Sequence, residues 1–392
     1  MASQQKNYGD LTDYVAWRGD IPLSQVPWST LDSLLLAVIC YQDFDLPRAM
    51  SLEEVARAGL QPKRDVSAEH KRVALIHQMA AQPRYAYLIL HKQISLLSAD
   101  QSLQFSALAC LSPDPSGPVI IAYRGTDHTL VGWKEDFMMS YASPVPAQSQ
   151  ALTFLEEVAE ATGNRPLVLT GHSKGGNLAS YAAAHASDTI RARILEVASF
   201  DGPGLDDDTM ESKGYAEIRP RLHSVIPNGS VVGLLMNYHP DYTVVQSTTV
   251  GLFQHDPLSW EIMGGRFIEA PETTRSSQLM NETVHTWLGK CTQEEVQDFV
   301  ETLFTALEKL YPQRGEEDLF EIRPASLVDA GAYILSLDSA MRERILSLLQ
   351  SLLTTGREAY RQIMVEKPLQ GALEDLSSLL GKGQDTTKGD KA

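Results

Sequence analysis

Ser173 stands at the centre of Gly171-His172-Ser173-Lys174-Gly175, and the segments on either side of it constrain the fold more than anything else in the chain. The apolar run 166–170 has the length of a short buried strand, and Asn177–Ala186 reads as a helix. Glycines two positions before and after the serine suit a turn too tight for flanking side chains. Such a turn lifts the hydroxyl clear of a sheet edge and points the first N–H groups of the following helix at the same place. Strand, sharp turn and helix around G-x-S-x-G form the pattern of a nucleophile elbow.

The rest of the chain supplies a sheet for that turn to sit on. Residues 101–110 and 118–123 read as strands separated by the turn-forming Asp114-Pro-Ser-Gly-Pro118, so a hairpin is expected. Residues 194–200, 221–226 and 242–247 read as further strands, and 148–162 as a helix with Leu152, Leu155, Val158 and Ala159 on one face. Strands alternating with helices in this rhythm imply a mostly parallel sheet with crossover helices. Upstream, 28–41 has helical spacing, with Leu31, Leu34, Leu35, Val38 and Ile39 sharing a face; 51–60 and 66–81 read as helices, and 8–25 as an irregular arm. From Thr292 the texture is purely helical. Thr292 and Glu295 make a capping box ahead of the stripe Val296, Phe299, Val300, Leu303, Phe304, Leu307 and Leu310. A second long helix is expected over about 339–364, carrying Ile345, Leu348, Leu349, Leu352 and Leu353. The expected organisation is a domain over 1–290 that includes the helical segment 28–81, a helical region over 291–381, and a disordered tail over 382–392 rich in Gly, Thr and Lys.

Composition narrows the partners. With 392 residues and 43% hydrophobic content the chain can bury a large core. A net charge of −17 argues against nucleic acid and anionic membrane surfaces as main partners. The three cysteines, Cys40, Cys110 and Cys291, are odd in number and widely spaced, with neither a disulfide framework nor metal-ligand spacing. The polar start Met1-Ala-Ser-Gln-Gln-Lys6 lacks the apolar core of a secretory signal, and no apolar run nears the length of about 18 residues that a spanning helix needs. A cytoplasmic protein without an integral membrane segment is expected.

A serine hydroxyl needs a base to become a nucleophile, and in the elbow fold the partners follow in the order serine, acid, histidine. His185 comes too early and His223 falls inside an expected strand. His255, in the loop after 242–247, lies at the sheet edge toward which the elbow points; His239, in a Tyr-His-Pro-Asp turn, is the alternative. For the acid, Asp201 follows strand 194–200 directly and is locked by Gly202-Pro-Gly204, a setting that suits either an orienting acid or a turn cap. Asp241 and Asp256 are the alternatives, and Asp206–Asp208 reads as a solvated charge run. Two N–H donors for a developing oxyanion are expected from the backbones of Lys174 and Thr126, the latter in Tyr123-Arg-Gly-Thr126 at the end of strand 118–123. The Lys174 side chain carries no assigned role.

These pieces together resemble the class 3 (fungal-type) lipases. Tyr123-Arg-Gly-Thr126 followed by Trp133 and Asp136 is similar to their F-R-G-T…W…D segment, Gly171 to Asn177 to their G-H-S-L-G-G elbow, and His255 with Trp260 to their late H…W element. Asp201-Gly-Pro-Gly204, Ser230-Val-Val-Gly233 and Gln254-His-Asp-Pro257 more closely resemble a bacterial lipase-like branch, the Mbeg-like family of α/β-hydrolases. The resemblance covers roughly 8–290. It implies an α/β-hydrolase fold, a serine esterase or lipase activity on an acyl-ester or lipid-like substrate, no cofactor and no metal. It carries Ser173 as nucleophile, His255 as base and Thr126 at the oxyanion hole. The class 3 lipases place their acid on the strand corresponding to about 221–230; this chain has Asn228 and Ser230 there, so Asp201 is the expected acid. Lys174 replaces an apolar elbow residue. A thioesterase or other acyl hydrolase, and an inactive hydrolase-fold interaction protein, are the competing expectations.

Overall fold

The structure is a computed structural model and describes residues 8–127, 129–310, 335–337 and 339–361. Eight strands form one sheet in chain order: β1 (Met50–Ser51), β2 (Ile89–Ser98), β3 (Leu103–Leu111), β4 (Val119–Tyr123), β5 (Leu167–His172), β6 (Ile194–Phe200), β7 (Leu222–Pro227) and β8 (Tyr242–Val245). Neighbours from β1 to β4 pair antiparallel, and those from β4 to β8 pair parallel. The expected hairpin is β3–β4, with Ala107 opposite Tyr123 and Leu111 opposite Val119.

β4 is buried along its whole length, which is why its sequence is an unbroken apolar run rather than an alternating one. Its pleat divides the core in two. Ile120 and Ala122 join the cluster under α1 (Leu11–Arg18), α2 (Thr30–Ile39), α3 (Leu52–Arg57) and α4 (Ser67–Ala80). Val119, Ile121 and Tyr123 join the cluster on the opposite face. There the helices are α6 (Pro146–Ala161) and α7 (Lys174–His185), which follow α5 (Leu130–Met138) in the chain. A mostly parallel sheet covered by helices on both faces, with the sharp β5–α7 turn at its centre, is the α/β-hydrolase architecture that the sequence implies.

Beyond the elbow the described helices range from single turns to the longest in the chain. They are α8 (Asp188–Arg191), α9 (Asp207–Glu211), α10 (Lys213–Ile218), α11 (Arg275–Leu288), α12 (Gln293–Leu310) and a last helix, Ser339–Arg361. The C-terminal helices pack on the body. Val296, Val300 and Phe304 of α12 lie against Leu130, Trp133 and Tyr141 in and just after α5, and Lys290, just after α11, reaches Thr355 and Glu358 on the last helix. Residues 1–7, 362–381 and the tail 382–392 lie outside the described residues, as do the side chains of Ile345 and Leu349.

Several local expectations are corrected. The arm 8–25 contains α1, started by a capping box between Asp10 and Asp13. β2 escapes a periodicity reading because a bulge between Leu90 and Lys92 shifts its alternation near its start. The helical segment 28–81 contributes α2 to the core: every residue of α2 from Leu31 to Ile39 is buried, and Thr170 of β5 donates to the Ser33 carbonyl at 3.0 Å. His223 lies on β7, as expected, with its side chain exposed.

Candidate active site

The parallel half of the sheet brings the candidate residues to one edge. β5 ends at His172 and β6 at Phe200, so Ser173 and Asp201 leave adjacent strands at their carboxyl ends, where open parallel sheets form their crevices. Ser173 sits at φ 58° and ψ −134°, a sparsely populated conformation for a residue with a side chain. The surroundings enforce it. Its N–H donates to the Phe200 carbonyl at 2.9 Å, and its carbonyl accepts from Gly176 at 2.8 Å. The flanking glycines are steric requirements: a Cβ on Gly171 would stand 2.1 Å from the Gly175 carbonyl oxygen, and one on Gly175 would stand 2.1 Å from that of Tyr123.

His255 closes the short 3-10 segment Gly251–His255. Its Nδ1 donates to Asp201 Oδ2 at 2.6 Å, which leaves Nε2 with its lone pair. The Asp201 carboxylate is buried, and its second oxygen accepts from the Ser230 hydroxyl at 2.5 Å and from the Gly233 N–H at 3.1 Å. Three donors on two oxygens fix the plane of the carboxylate.

The imidazole reaches the elbow through His172. The His172 and His255 rings lie 4.6 Å apart, and His172 Nε2 is 2.7 Å from the His255 carbonyl oxygen. A carbonyl can only accept, so Nε2 carries the proton and Nδ1 accepts from the Tyr41 hydroxyl at 3.1 Å. Burial, then the neighbouring His255, hold His172 well below the usual histidine range, so it stays neutral in this role. Trp260 donates to the Gln254 carbonyl at 2.8 Å and Gln254 accepts from the Gly229 N–H at 2.7 Å, which pins the loop just before His255.

The other candidates are engaged elsewhere. His239 is buried against the Tyr215 hydroxyl at 2.9 Å. Asp241 pairs with Arg219 on the surface, and Asp256 caps the turn at Leu258. Asp206 caps α9 rather than joining a solvated run. The Thr126 hydroxyl donates to Asp136. Lys174 opens α7, so its N–H lies outside the helical ladder. Its side chain, given no role from sequence, is fully buried against Glu135 at 3.0 Å. Among the described residues no group of three or more His, Cys, Asp or Glu is arranged to hold a metal ion, and no helix is long and apolar enough to cross a membrane.

A family model described as Mbeg1-like matches residues 79–305, a span that contains the elbow, Asp201 and His255. The chain belongs to the Mbeg1-like family. No curated protein matches it. Solved structures similar to this Mbeg1-like chain include the M37 lipase, at 16% identity over 54% of this chain and 70% of that one with a TM-score of 0.37. The Lip2 lipase of Yarrowia lipolytica is 13% identical over 69% and 88%, with a TM-score of 0.36. A triacylglycerol lipase from Penicillium expansum is 10% identical over 68% and 93%, with a TM-score of 0.31. Likenesses this slight assign nothing residue by residue. In the Mbeg1-like chain the residues missed by sequence reasoning are those acting through a neighbour: His172 and Tyr41 under the His255 loop, Ser230 behind Asp201, and Glu135 beside Lys174. Only Ser230 carried a signal, as an uncharged residue where an acid was expected.

Proposed function

We propose that this Mbeg1-like protein is a serine hydrolase of carboxylic esters with an acyl or lipid-like chain. The observation that carries the reading is the 2.6 Å bond from His255 Nδ1 to the buried Asp201, on an imidazole whose ring lies 4.6 Å from that of His172, the residue that precedes Ser173. In this reading His255 Nε2 takes the Ser173 proton as Oγ attacks the ester carbonyl carbon. The Thr126 and Lys174 N–H groups receive the oxyanion, and Asp201 stabilises the imidazolium. The imidazolium then protonates the departing alkoxide, and water activated by the same nitrogen cleaves the acyl-enzyme to the free acid. An apolar substrate suits the rim: Val250, Leu252 and Phe253, two to five residues before His255, are 76%, 66% and 76% exposed.

The competing reading as an inactive scaffold drew on the uncharged Ser230. The Ser230 hydroxyl donates to Asp201, which supports an acid at the end of β6 in place of one on β7. A fluorophosphonate probe tests the proposal. Wild type is expected to be labelled at neutral pH and Ser173→Ala to remain unlabelled. Hydrolysis of p-nitrophenyl esters of rising chain length should follow the same division. A wild type that takes no label and cleaves no ester overturns the reading.

A further inference from the structure

The Lys174 side chain does not enter the crevice. It turns down beside β3, where its ammonium donates to the Gln104 carbonyl at 2.9 Å, to Gln104 Oε1 at 2.7 Å and to Glu135 Oε2 at 3.0 Å. Asp136 Oδ1 lies 3.7 Å away, and both the Lys174 and Glu135 side chains have no exposure at all. The Glu135 carboxylate is further fixed by the Gln104 N–H at 3.0 Å and the Ala147 N–H at 2.7 Å. Asp136 in turn accepts the Thr126 hydroxyl through Oδ2, while its Oδ1 is buried without a hydrogen bond. An ionised carboxylate with a buried, unbonded oxygen is costly, and the nearby ammonium is what offsets that cost.

One lysine is thereby tied to both expected oxyanion donors. Its own N–H is one of them. Its side chain supports the anion that grips Thr126, the residue supplying the other. We propose that Lys174 is a positioning residue whose buried ammonium keeps Asp136 an anion, and that Asp136, by binding the Thr126 hydroxyl, holds the oxyanion-hole loop in its working place. The proposal rests on the serine-hydrolase reading above and adds a role to a side chain outside the reacting centre.

The charges around Asp136 fix the direction of the effect. It faces the Lys174 ammonium from α7, the Glu135 carboxylate from its own helix and the Thr126 hydroxyl from the loop after β4. The Tyr41 phenol lies within electrostatic reach, β3 presents the neutral Gln104, and α12 presents the apolar Val296, Val300 and Phe304 to α5. The Asp136 carboxyl is raised to about 6, chiefly by burial, with Lys174 and Thr126 opposing the rise and Glu135 adding to it. Activity that needs the anion is present above that range and lost as the pH falls through it.

The test is the pH dependence of ester hydrolysis, with kcat and KM measured separately. Lys174→Met is expected to move the acid limb of kcat up by about one pH unit or more, the size of an opposite charge at this range, with KM little changed. Glu135→Gln is expected to move the limb down. In an Asp136→Asn background neither substitution should move it. If Lys174→Met does not fold, Glu135→Gln and its Asp136→Asn double carry the test alone. Limbs that coincide with wild type in every folded variant, or shifts that persist without Asp136, overturn the proposal. An unlabelled wild type that cleaves no ester removes the serine-hydrolase reading and this role with it; an active wild type with coincident limbs removes this role alone.

Discussion

Asp201 Oδ1 holds two donors, the Ser230 hydroxyl and the Gly233 N–H, while Oδ2 holds His255. The two oxygens therefore do different work, and substitution separates them. Asp201→Asn replaces one acceptor with a donor and disfavours the Nδ1–H tautomer of His255; kcat should fall by at least about a hundredfold, as for other orienting acids. Ser230→Ala leaves the charge and the Gly233 bond in place, so a loss of about tenfold is expected, the scale of one hydrogen bond to a charged group. Steady-state kinetics on a p-nitrophenyl ester ranks the two, and an Asp201→Asn enzyme at wild-type rate would move the orienting role elsewhere. At this scale the sequence is legible where local geometry dictates the residue type. Ser173 is readable because Gly171 and Gly175 have no room for a Cβ. Asp201 is only half readable, because a turn cap and an orienting acid use the same residue in the same kind of turn. Lys174 is unreadable, because the direction taken by a side chain on the first turn of a helix is set by what packs beside it, here Glu135 on α5 and Gln104 on β3.

Among the elements, α2 shows how a polar pair is carried inside the core. Its Asp32 is fully buried and accepts from Arg84 Nη2 at 2.5 Å and Nε at 3.0 Å, from the Tyr85 hydroxyl at 2.7 Å and from the Tyr14 hydroxyl at 3.1 Å. Asp32→Ala would strand the Arg84 guanidinium, which is only 2% exposed, without its counter-charge. The expected cost is about 3–5 kcal/mol, seen as a lowered urea midpoint, because removing one partner of a buried pair is far worse than never having the pair. A midpoint within error of wild type would mean that the Ile21, Val26 and Pro27 carbonyls, which also accept from Arg84, suffice. The apolar face of this helix is plain in the sequence at Leu31, Leu34, Leu35, Val38 and Ile39. Its polar side is not, since Asp32 and Ser33 look like an exposed face until Arg84 and Glu196 arrive from far along the chain. β2 fails for a different reason: one bulge breaks the two-residue period on which a strand is recognised.

Across the whole molecule, the C-terminal helices are joined to the site through α5. One side of α5 meets Val296, Val300 and Phe304 of α12, and the same helix carries Glu135 and Asp136 toward Lys174 and Thr126. The amphipathic stripe of α12 is legible in the sequence, but what it docks on is not, because α5 follows a loop and its Trp133 and Leu130 give no periodic signal of their own. Val300 is 1% exposed, so Val300→Asp would bury an unpaired carboxylate at that seam and should detach α12 rather than tolerate the charge. The sheet core, whose two clusters do not include α12, should stay folded. Limited proteolysis should then cut within 293–310 in the variant and not in wild type, and ester hydrolysis should fall as α5 loses its outer support. Equal fluorophosphonate labelling at saturation would show that Ser173 and His255 survive intact, which places the loss on the α5 side of the crevice. Proteolysis at the new site with no loss of rate would separate α12 from catalysis and leave its packing a matter of stability alone.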